Sequence, residues 1–145
     1  MKAKLIQQQA EKPYAVIVDK GDEVMAGLLD MAKRHNLAGS HVTAIGAFSD
    51  AILGYFDRDR KDYQRIPVHE QVEVLSLVGD IALSGDQPKI HAHVVVGRSD
   101  GTTRGGHLME AHVWPTLEVI IVEEPGHLHR KTDQESGLAL IDIAR

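Results

Sequence analysis

Ile90-His91-Ala92-His93-Val94-Val95-Val96-Gly97, then Ser99-Asp100-Gly101-Thr102, then Thr103-Arg104-Gly105-Gly106-His107-Leu108 read as a strand, a turn and a returning strand. Asp100-Gly101 supplies the positive φ that a tight hairpin turn requires. The elements around this hairpin are mostly strands too. Tyr14 to Val18 is a short β-branched and aromatic run. Val42 to Phe48 and Ala51 to Asp57 are two further runs, separated by Ser49-Asp50, and Asp57 to Asp62 reads as a charged turn. Val72 to Leu83 is long, with a bulge expected at Gly79. Ser84 to Pro88 turns the chain before Ile90. Leu117 to Val122 is apolar except for Glu118, as a strand covered on both faces would be, and Gly137 to Ile143 offers a closing strand.

One segment has helical periodicity. In residues 22–36, Val24, Met25, Leu28, Leu29, Met31 and Ala32 form an apolar stripe, with Asp30, Lys33 and Arg34 largely off it. Asp22 and Glu23 suit the positive end of the helix dipole, and Lys33, Arg34 and His35 the negative end. Asn36 and Gly39 are stop signals. Six or more strands with one amphipathic helix predict an α+β fold with a mixed, mostly antiparallel sheet. The 145 residues carry no repeat or linker, so a single domain over 1–145 is expected, with its core at about 14–143.

Composition excludes several classes of function. There is no cysteine, which removes disulfide scaffolds, thiolate zinc fingers, iron–sulfur clusters and cysteine nucleophiles. No apolar stretch approaches the ~20 residues of a membrane span. The polar start lacks an apolar signal region, so a cytoplasmic location is expected. The net charge of −5 and the lack of a basic stripe speak against a stand-alone nucleic-acid binder. Aromatic residues, at 4%, supply little base stacking.

Histidine is the unusual residue: nine in the chain, five of them between His91 and His127. His91 and His93 are two apart on a strand and share a face. If paired residue numbers across the hairpin sum to 200, His107 lies opposite His93 and diagonal to His91. If they sum to 201, His107 falls on the other face, and a bulge at Gly105-Gly106 would bear on the choice. In the first register three imidazoles converge without a thiolate. That donor set suits Zn²⁺ or another divalent transition metal and leaves a fourth position open. The alternative is that the alternating histidines form a solvated face.

Glu118 interrupts an apolar run, and a buried carboxylate must be paired or metal-bound. It is therefore a candidate to orient a ligand or transfer a proton; the alternatives are pairing with Arg104 or exposure. Glu110 and His112 are spare donors. His127 and His129 share the H-x-H spacing in what reads as a polar loop. Phosphate-binding loops, dinucleotide fingerprints and hydrolase elbows are missing from the sequence, and Ser49 has no triad pattern.

Five stretches together resemble the PPC (plant and prokaryote conserved) domain, over roughly Ala15 to Ile143. They are Ile45 to Phe56, Val72 to Gly79, His91-Ala92-His93-Val94, Gly105-Gly106-His107-Leu108 and Pro115-Thr116-Leu117-Glu118-Val119. The resemblance, to the stand-alone prokaryotic type, implies a sheet with a packed helix, a fold similar to that of acetolactate decarboxylase, and a homotrimer. It also implies a metal site, and His91, His93 and His107 match the three-histidine motif. Plant relatives bind AT-rich DNA through AT-hook segments, and this chain has no Arg-Gly-Arg-Pro hook. The expectation is thus a trimeric metal-binding protein, with chemistry on a small metabolite left open. The second reading is a DNA-associated assembly module without catalysis.

Overall fold

The computed structural model describes residues 2–5, 11–124 and 126–143. Nine strands and one helix follow in the order β1 (Lys2–Leu5), β2 (Lys12–Asp19), α1 (Val24–His35), β3 (Gly39–Asp57), β4 (Asp62–Val68), β5 (Val72–Ser84), β6 (Gln87–Gly97), β7 (Thr103–Glu123), β8 (His129–Thr132) and β9 (Ala139–Asp142). They form one sheet in the order β1-β2-β7-β3-β5-β8-β9, with β4 on β3 and β6 bridging β5 and β7. Every pairing is antiparallel except β5 with β8, so the sheet is mixed and mostly antiparallel. Strands β3, β5, β6 and β7 pair in a closed circuit.

The helix forms where its apolar stripe predicts, and it packs on β6 and β7. Val24, Leu28, Met31 and Ala32 are buried against the sheet's inner face. Burying a leucine-sized side chain contributes roughly 1.5–3 kcal/mol. Glu23 is the N-cap: its carboxylate accepts from the backbone N–H of Met25 at 3.0 Å and of Ala26 at 2.6 Å. It also accepts from Ala111 N–H at 3.2 Å, which ties the helix start to β7. Asn36 ends the helix in the left-handed region at φ 53°.

Several strand expectations need correction. The two runs either side of Ser49-Asp50 are one 19-residue strand, and the two runs at 103–108 and 117–122 belong to one of 21 residues. Register shifts let these long strands bend without breaking. No bulge occurs at Gly79, which pairs in register with both Val42 and Ala92; the β5–β6 shift lies between Val74 and Ser76. Gly79 is needed for close approach, since a Cβ there would stand 2.4 Å from the His91 carbonyl oxygen. The far half of β7 is covered on one face only. Leu117, Val119 and Ile121 are buried, while Glu118 and Ile120 face outward. β4 follows the charged turn as an additional strand, and β9 pairs with β8 at the sheet's margin.

A buried carboxylate holds β3 and β7 together. Glu123 accepts from Ala38 N–H at 2.9 Å, Gly39 N–H at 3.3 Å and the Ser40 hydroxyl. Its charge is thereby satisfied by three donors in the interior.

Candidate metal centre

The β6–β7 hairpin settles the register question. Arg98 N–H donates to Thr102 C=O at 2.8 Å and Gly101 N–H donates to Arg98 C=O at 2.9 Å, so the loop has three residues, Ser99, Asp100 and Gly101. Gly101 takes φ +80°, the left-handed position of such loops. The Asp100 carboxylate accepts from Thr102 N–H at 2.9 Å and from its hydroxyl at 2.6 Å. An odd loop makes the paired numbers sum to 200, and His93 pairs directly with His107. The ladder runs unbroken from Gly97↔Thr103 to that pair, so Gly105-Gly106 does not bulge against β6. Gly106 instead admits the neighbouring strand: a Cβ there would lie 2.7 Å from Gly54 C=O on β3.

His91, His93 and His107 converge. One ring nitrogen from each lies within 4.8 Å of the others, an arrangement able to hold a metal ion. Ring centroids are 4.9, 5.1 and 5.7 Å apart. The Nε2 atoms of His91 and His93 are 3.2 Å apart. Two nitrogens bound tetrahedrally to one zinc at ~2.0–2.1 Å would stand ~3.3–3.4 Å apart, so this pair already has the required spacing. His107 Nδ1 is buried with no hydrogen-bond partner. The donor set, the spacing and that orphaned nitrogen all fit a divalent transition metal.

Electrostatics favours the ligand form of two of the rings, His91 and His107. Burial, with His91 and His93 adding repulsion, pushes His107 down to about 4. Burial followed by His93 also lowers His91, while Asp80 pulls the other way. Neutral imidazole is the form that binds a metal, so protons compete weakly here at neutral pH. The surroundings orient the rings. His91 Nδ1 is 4.0 Å from the Asp80 carboxylate, which also takes a hydrogen bond from Arg130. Tyr63 stacks on His107, with centroids 4.7 Å apart at 28°. Asp80, Tyr63 and Arg130 carried no sequence signal, because they reach the site through the pairing of β5 with β6, β4 with β3 and β8 with β5.

The other candidates lie elsewhere. Glu118 is exposed rather than buried, pairs in register with Ile17 and Ile45, and lines a different concavity with Leu75, Val78 and Ile120. Arg104 does not neutralise it, donating instead to Pro67 C=O at 3.2 Å. His112 pairs with Asp50, Nδ1 to Oδ1 at 2.9 Å. Ser49 donates to the same Asp50 at 2.8 Å, so serine and histidine share a carboxylate rather than forming a nucleophile–base pair. His127 is exposed, whereas His129 is half-buried in β8, not in a loop.

Comparison with known proteins follows this geometry. The profile of the Plants and Prokaryotes Conserved (PCC) domain matches residues 6–125, which include all three histidines. The chain belongs to this family. A PPC protein from Pyrococcus horikoshii is 28% identical, with TM-score 0.85 over 99% of this chain and 96% of that one. A metal-containing protein from Archaeoglobus fulgidus is 29% identical, with TM-score 0.84 over 95% and 98%. A candidate DNA-binding protein from Ralstonia eutropha JMP134 is 27% identical, with TM-score 0.84 over 90% of each chain. A Staphylococcus aureus protein similar to alpha-acetolactate decarboxylase shares the fold at 13% identity, with TM-score 0.55 over 81% of this chain and 52% of that one. Bifunctional protein GlmU of Synechococcus sp. is 27% identical over 135 residues, and the chain spans only 20% of its length. No helix among the described residues is long and apolar enough to cross a membrane.

In the metal-free protein, the His107 ring should titrate near pH 4 rather than 6.5 when followed by its Cε1–H NMR signal. The ring stays neutral in the fold but protonates in the unfolded chain near 6.5, so its contribution to stability is lost as pH falls from 6.5 towards 4. A midpoint at or above 6.5 would contradict the burial argument.

Proposed function

We propose that this PCC-domain chain is a metal-binding protein in which His91, His93 and His107 hold one zinc-type divalent ion. The reading is carried by the convergence of the three ring nitrogens within 4.8 Å, reached by a hairpin register that leaves His107 Nδ1 buried and unpartnered. Three protein ligands leave one position for water or a small ligand, the pattern of reactive rather than purely structural zinc sites. Such an ion, when bound, acidifies water or polarises a carbonyl oxygen. The chain's own residues keep His91 and His107 neutral by burial, set the Asp80 carboxylate near His91 and brace His107 with Tyr63. Glu118, the earlier proton-transfer candidate, lines a concavity apart from the trio, so within one chain its location gives that role no support. The metal-containing relative adds support at the level of the family.

We read the open sheet face as the contact of a homotrimer of single-domain chains in the cytoplasm, the assembly that the family resemblance implies. Ile45, Leu75, Val78 and Ile120 are 43–60% exposed on one side of the sheet, an apolar face suited to contact with further copies. Light scattering should give the mass of three chains, and a mass of one chain would refute the trimer.

The second reading, a DNA-associated module, draws on the candidate DNA-binding relative. The net charge of −5 opposes it. Elemental mass spectrometry separates the two. Protein purified without a His tag should carry near one ion per chain, and the His91→Ala/His93→Ala/His107→Ala variant should carry none while keeping its circular dichroism. Absence of metal from both, with AT-rich duplex bound in a salt-dependent way, would replace the metal reading with the second.

A further inference from the structure

A cavity of about 130 Å³ opens beside the histidines. Lys89 and His91 on β6, His107 on β7 and Tyr63 on β4 line it, and Arg130 and Leu140 of the β8–β9 hairpin close it. The histidines fall within the matched family span, 6–125, whereas this closing hairpin lies beyond it. The volume equals roughly four water molecules, which suits a ligand with a short carbon chain.

The charge of the lining is positive on balance. Lys89 and Arg130 are its charged side chains, and the Asp80 carboxylate pairs with Arg130, so Lys89 carries the unbalanced charge. Lys89 makes no ion pair among the described residues and stands at the exposed edge of the cavity. A divalent ion held by three neutral imidazoles would add two further positive charges. A neutral ligand would leave that charge uncompensated in a half-buried site, so an anion is the complementary occupant.

The donors also discriminate among anions. Two of Arg130's nitrogens are engaged: Nη1 donates to Ala139 C=O at 2.9 Å and Nη2 to Asp80, which leaves Nε buried without a partner. One free nitrogen cannot supply the two-point grip that a phosphate favours. The unbalanced charge is the Lys89 ammonium, on a cavity also lined by Leu138, Ala139 and Leu140. A single point charge beside an apolar wall matches a monoanionic head on a short carbon chain.

We propose that this cavity binds a small monocarboxylate, with Lys89 pairing with the anion, an oxygen of the ligand taking the open metal position and the β8–β9 hairpin setting the length of chain admitted. This rests on the three-histidine metal reading and specifies the class of ligand for that site.

The test uses the full chain loaded with Co²⁺, whose visible bands report coordination. Acetate and glycolate should shift the bands saturably, and the neutral acetamide should not. Lys89→Gln should keep the bands but weaken carboxylate binding by about tenfold, the loss expected for one charge-assisted hydrogen bond. Leu140→Trp, which fills the cavity from the hairpin side, should keep the bands and abolish the shift. Equal binding of acetamide, or unchanged carboxylate affinity in Lys89→Gln, overturns the proposal and leaves the metal site standing. Absence of tetrahedral cobalt bands in the unmodified chain instead overturns the metal reading, and the proposal with it.

Discussion

The number of residues in one turn governs the site. Ser99, Asp100 and Gly101 form a three-residue loop, closed by Arg98 and Thr102 and stabilised by the Asp100 carboxylate. That length puts His93 opposite His107. A two-residue loop would shift the pairing by one and turn His107 to the other face of the strand, because side chains alternate with period two. The left-handed Gly101 and the carboxylate of Asp100 therefore act on the histidine cluster from the far end of the hairpin, through backbone geometry alone.

The remaining strands hold the hairpin in place. Gly79 lets β5 approach the His91 segment closely, and Gly106 does the same for β3 beside His107. Gly54 pairs with His107 across β3 and β7, so the histidine is flanked by backbone on both sides. Glu123 and Glu23 tie the ends of β3 and α1 to the long β7 strand. The imidazoles are consequently held by strands rather than loops, which limits the reorganisation needed on binding an ion. The same enclosure keeps His107 neutral.

Much of this was legible in the sequence because it depends on local pattern. The apolar stripe of Val24, Leu28, Met31 and Ala32 marked the helix, and Asn36 marked its end. His91 and His93 were placed on one face by strand alternation, and the register with sum 200 was one of two weighed. The unread parts depend on distant pairing. β4 carries Pro67 and the charged Asp62 and Arg65, which suit an edge strand bonded only to β3 but look like a loop in sequence. β8 is four polar residues, too short for a periodic signal, whereas β9 falls within the closing strand expected over Gly137 to Ile143. β4 and β8 deliver Tyr63 and Arg130, so the cavity beside the histidines was harder to foresee than the histidines themselves. Of the readings weighed for Glu118, the structure has it exposed, because its face of β7 is uncovered in the single chain.

The central claim is that the hairpin presents three imidazoles to one ion. X-ray absorption spectroscopy at the zinc edge addresses the ligands themselves. The account predicts a four-coordinate ion with three imidazole nitrogens and one oxygen at ~2.0–2.1 Å, with the multiple-scattering signature of histidine rings. A six-coordinate shell of oxygens without that signature would contradict it.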